Sequence, residues 1–90
     1  MEIKFIRAIQ FTRLVKAGGR LREFNFRKLN GGDTERFSIN VVDDRGERIL
    51  FQMVKQENGW KLSAQQLPVW IEQNEKQLHQ LIEEELPDNR

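Results

Sequence analysis

The sequence predicts an α+β domain: an antiparallel meander sheet of four to five strands packed on one long C-terminal helix, a two-layer sandwich. Three observations carry this expectation. Runs rich in β-branched and aromatic residues fill the first two-thirds of the chain, Gly- and Asn-containing turns separate them, and the hydrophobic period changes from 2 to 3.6 near Leu62. A chain of 90 residues fits one domain, 1–90, able to enclose a single core without a disulfide or metal staple.

The first segment, Ile3 to Lys16, holds Ile, Phe, Thr, Leu and Val, and Ala17-Gly18-Gly19-Arg20 follows as a turn. It reads as a strand. The alternative is a helix over residues 5–16 capped by Gly18, since Ile6, Ile9 and Leu14 fit a helical face loosely. Leu21 to Leu29 is the second strand, closed by Asn30-Gly31-Gly32-Asp33. In Arg36 to Val42, Phe37, Ile39 and Val41 alternate with Ser38 and Asn40, the period-2 pattern of one buried and one wet face.

Asp43-Asp44-Arg45-Gly46-Glu47 turns the chain into a fourth strand, Arg48 to Gln56, with Ile49, Phe51 and Met53 on one face. Glu57-Asn58-Gly59 leads to a short strand at Trp60-Lys61-Leu62. Beyond it, Leu67, Ile71, Asn74, Leu78, Leu81, Ile82 and Glu85 recur at helical spacing, and only Asn74 and Glu85 break the apolar stripe. Pro68 suits the first turn, and Ser63-Ala64-Gln65-Gln66 resembles a capping box. A helix from about Pro68 to Leu86 is nearly 30 Å long, enough to cross a sheet. It covers one face and leaves the other free.

Hydrophobic content of 38% with 32% charged residues is that of a folded domain. The chain has no cysteine, which removes thiolate chemistry and fits a cytoplasmic address. Charges at Glu2, Lys4, Arg7 and Arg13 interrupt any signal-peptide core, and no apolar run is long enough to span a membrane. The net charge of +1 conceals a split. Residues 1–30 carry eight bases against two acids and residues 31–90 seven against twelve, so the halves stand at +6 and −5. That imbalance marks either a polyanion-binding surface or two halves that attract each other, within the fold or across a dimer.

Strand alternation puts Arg20, Arg22, Phe24, Phe26 and Lys28 on one face of the second strand. Were that face open, the rings would stack bases while the cations, aided by Lys4 and Arg7, neutralise phosphates. Were it covered, the rings would be core and the bases would snorkel at the strand ends, the commoner role for Phe at alternate strand positions. The order of antiparallel strands followed by one helix resembles the repeat of PUR-type single-stranded nucleic-acid binders. That resemblance covers element order over most of the chain and implies single-stranded nucleic acid as a ligand.

The first strand is apolar on both faces, and Glu83-Glu84-Glu85 burdens the negative end of the helix, so a homodimer or a protein partner is the other expectation. His79 has only Glu75 and Glu83 as helical companions, too few for a zinc site or a general base, and reads as a boundary residue. The Asp43–Glu47 acids read as a hairpin turn, because Arg45 competes for the oxygens a cation needs. Gly18-Gly19 and Gly31-Gly32 lack phosphate-loop context, and Trp60 and Trp70 read as packing at the layer edge. With no nucleophile-base pair or cofactor loop, the expectation is a non-enzymatic interaction module without a cofactor, self-associating or docking a protein through the uncovered face.

Overall fold

A computed structural model describes residues 9–29, 32–63 and 66–86. Strands β1 (Gln10–Ala17), β2 (Arg20–Leu29), β3 (Arg36–Val42), β4 (Arg48–Gln56) and β5 (Gly59–Leu62) precede helices α1 (Val69–Glu72) and α2 (Glu75–Glu85). The strands pair antiparallel in chain order, a five-stranded meander shaped as a half-barrel.

The first segment is strand over Gln10–Ala17, which disposes of the helical alternative there; residues 3–8 of the expected strand lie outside the described residues. Gly18 and Gly19 both have positive φ, 63° and 80°, and link Ala17 directly to its cross-strand partner Arg20. Two positive φ values in a two-residue loop match the right-handed twist of the strands they join. Gly18 has a second reason to be glycine: a Cβ there would lie 3.0 Å from the Trp70 side chain.

Alternation sorts side chains as expected. Val15, Phe24, Phe26, Phe37, Ile39, Val41, Phe51, Met53 and Trp60 point into the concave side and form the core with Ile71, Leu78 and Ile82 of the helices. Each such side chain contributes about 1.5–3 kcal/mol of burial. The rings interlock: Phe11 stacks on Phe26 at 4.5 Å, while Phe37 meets Trp60 edge-on at 5.1 Å.

The single long helix is corrected to two short ones. Asn74 Nδ2 donates to the Trp70 carbonyl at 2.7 Å, and the Asn74 backbone N–H bonds to Ile71 O at 3.0 Å instead. A side chain thus takes the acceptor that continuation of the helix needs, and the chain bends before α2 starts. The capping box is corrected as well. Pro68 is the N-cap of α1 and has no side-chain cap, while the Ser63 hydroxyl donates to Gln52 O at 3.2 Å.

Both helices lie on the concave side. The ring of Trp70 on α1 meets Phe24 edge-on, and α2 reaches from β5 to β1, where Glu85 pairs with Arg13. No helix among the described residues is long and apolar enough to cross a membrane.

Candidate functional site

The expected site residues separate by burial. Phe24 and Phe26 are 0% and 2% exposed beneath the helices, so the rings belong to the core and no base can stack on them. Arg22, on the same strand face, is buried too. Its Nε donates to Ala17 O at 2.7 Å, its guanidinium lies 3.9 Å from the centre of the Trp70 ring, and Nη1 pairs with Asp44 at 3.0 Å. Its Nε, Nη1 and flat face each have a protein partner. Arg20 is exposed and bonds the same Asp44 at 2.9 Å, and Lys28 pairs with Glu35 at 3.4 Å. Lys4 and Arg7 lie outside the described residues.

Part of the charge split of the sequence is resolved inside the fold. Arg13, Arg20, Arg22 and Lys28 of the basic front each pair with an acid from beyond residue 30. Glu83 and Glu85, which load the negative end of α2, meet Lys55 and Arg13 of the same chain, so a twofold partner is not needed to supply cations there. Asp43 closes its own turn, its Oδ1 accepting the N–H groups of Arg45 at 2.9 Å and Glu47 at 2.8 Å. Asp44 is left to clamp β2. The Arg22 hydrogen bond, followed by the charges of Arg22 and Arg20, holds its carboxyl below the usual aspartate value.

Residues Glu75, His79 and Glu83 share one side of α2 at i, i+4 and i+8, and all three turn to β5. Leu62 N–H donates to Glu75 Oε2 at 2.7 Å, Trp60 N–H to His79 Nδ1 at 3.0 Å, and the Trp60 indole N–H to Glu83 Oε2 at 2.9 Å. An edge strand ordinarily offers unpaired N–H groups to any passing strand. Here the helix takes them. Trp60 is therefore fully buried, with a carboxylate for its indole, where the sequence suggested a layer edge. The spacing of the two glutamates about His79 is visible in the sequence; their target is not, because only the fold brings β5 beneath them.

The convex side carries a different surface. Thr12 donates to Asn25 Oδ1 at 2.7 Å, Asn25 donates to Asn40 Oδ1 at 3.1 Å, and Arg48 donates to the same oxygen at 2.6 Å, a polar ladder across β1 to β4. Around it stand Leu14, Leu21 and Leu50, 66%, 66% and 68% exposed. Leu21 and Val42 flank a cleft of about 240 Å³ where β2 departs from β3, the two strands pairing only from Asn25 and Asn40 onward. Lys16, Arg27, Arg36, Arg48 and Lys61 share this side with Glu23 as the single acid among the described strand residues, and no aromatic ring joins them.

No protein-family model, curated protein or solved structure matches the chain.

Proposed function

We propose that the chain is a non-enzymatic interaction module whose convex sheet side and β1 margin contact a protein, a second copy of the chain or another partner. The observation that carries this reading is the contrast between the two sides. All described aromatic side chains are spent on the concave core, whereas three leucines stand about two-thirds bare around a fixed polar ladder on the other side. The row of titratable groups on α2, Glu75, His79 and Glu83, is engaged in closing β5.

Sedimentation equilibrium over a wide concentration range tests the reading. The chain is expected to self-associate, and Leu14→Glu to weaken the association with an unchanged circular dichroism spectrum, since Leu14 is exposed. A monomer throughout removes self-association and leaves only the docking of another protein.

Single-stranded nucleic-acid binding keeps one supporting observation, the excess of bases over acids on the convex side. Without rings there, such binding rests on phosphate contacts alone and falls steeply with salt. No oligonucleotide affinity at low salt would end that reading.

A further inference from the structure

We propose that β1 pairs antiparallel with β1 of a second copy across a twofold axis at Leu14, joining two five-stranded sheets into one. This rests on the self-association reading above and names its geometry.

The argument starts from which way the backbone of β1 points. Lys28 N–H donates to Ile9 O at 2.9 Å, so Ile9 and Lys28 form a hydrogen-bonded pair, and in an antiparallel ladder such pairs alternate with non-bonded ones. With Gln10 opposite Arg27 and Phe11 opposite Phe26, the N–H and C=O groups of Gln10, Thr12, Leu14 and Lys16 therefore face away from β2. The sheet order begins at β1, and among the described residues no strand lies beyond it. Among the described residues, Thr12 O accepts only from the neighbouring Arg13 Nη1, at 3.2 Å, and a carbonyl has a second lone pair to offer. The two margins of this sheet are thus unlike: α2 closes β5 with three side chains, and nothing described closes the eight-residue β1.

At this edge charge disfavours face-to-face stacking of two copies, and overlap within Gln10–Ala17 together with charge selects the register, since axes at Arg13 and Leu14 pair the longest stretches of β1, residues 10–16 and 11–17. Two copies stacked convex side to convex side would oppose Lys16, Arg27, Arg36, Arg48 and Lys61 with themselves, whereas edge pairing sets the two basic faces side by side. A twofold at Leu14 puts Leu14 on Leu14, Thr12 opposite Lys16, Arg13 opposite Val15 and Phe11 opposite Ala17. No like charges are directly opposed. Moving the axis to Arg13 opposes two guanidiniums, and moving it to Val15 runs the pairing off the end of β1 at Gly18. In the Leu14 register the exposed leucine gains a partner, and Leu21, its diagonal neighbour across β1 and β2, flanks the pair. The interface is isologous, as a twofold requires.

The chain has no cysteine, so an introduced thiol is its only one. Directly opposed residues of a hydrogen-bonded pair stand about 5.5 Å apart at Cα, within disulfide range. Under mild oxidation Leu14→Cys is expected to link to itself. Thr12→Cys is expected to link to Lys16→Cys in an equimolar mixture and not to itself, because two Thr12 residues are offset by four positions in this register. An associating chain in which Leu14→Cys stays unlinked, or in which Thr12→Cys links to itself, overturns the proposal while the broader self-association reading stands. A chain that never associates overturns both.

Discussion

His79 Nδ1 accepts the backbone N–H of Trp60 at 3.0 Å, so a helix side chain terminates the sheet at β5. Removing the ring leaves a buried donor without an acceptor, a loss of about 1–3 kcal/mol. His79→Ala is accordingly expected to lower the urea midpoint by that equivalent, with the slope of the transition unchanged. Gly59 lies under the same ring: its φ is 120°, and a Cβ would come within 2.6 Å of His79 Cε1. Gly59→Ala is expected to destabilise the wild-type chain, and in a His79→Ala background to do so less, because the steric part is gone and only the backbone strain remains.

Arg22 is the buried cation of the core margin, held by Ala17 O, the Trp70 face and Asp44. Truncation to Ala removes a charge-assisted hydrogen bond and a desolvated cation–π contact together, about 2–4 kcal/mol. Arg22→Lys restores the charge without the planar fork and is expected to recover only part of it. Denaturant melts followed by tryptophan fluorescence check both, since Trp70 reports directly on the contact.

The Asp44 carboxyl links β2 to the turn between β3 and β4. Its pKa is lowered in the folded chain, chiefly by the Arg22 hydrogen bond, so folding is favoured wherever Asp44 is ionised. That contribution is complete above about pH 5, clear of the unfolded aspartate value, and fades as the pH falls through that value and the lowered folded one. Asp44→Asn is expected to be less stable than wild type near neutrality, with the difference narrowing toward the acid end. A difference that stays constant down to pH 2 would contradict the clamp.

Phe24 belongs to the core, so Phe24→Ala is expected to lower stability by about 3–5 kcal/mol, read from chemical denaturation. A Phe24→Ala chain with wild-type stability would return the ring to the surface.

Local pattern located the strands and assigned their faces, because alternation in segments such as Phe37-Ser38-Ile39-Asn40-Val41 depends on neighbours two residues away. It did not say which face the helices cover, so Arg22 and Phe24 read either as ligand groups or, the commoner role for Phe there, as core. The long helix failed at Asn74, visible only as a gap in the apolar stripe, since its hydrogen bond to Trp70 O depends on the conformation reached. The closure of β5 by Glu75, His79 and Glu83 lay further out of reach. Those side chains stand 13 to 23 residues from their partners, and no local period records such a meeting.

Amide hydrogen exchange, followed residue by residue in solutions dilute enough to hold the chain monomeric, tests most directly the claim that one margin of the sheet is sealed and the other open. Trp60 and Leu62 are expected to exchange slowly, and Thr12, Leu14 and Lys16 quickly, gaining protection as the concentration rises. Slow exchange at Thr12, Leu14 and Lys16 in the dilute chain, or fast exchange at Trp60 and Leu62, would contradict it.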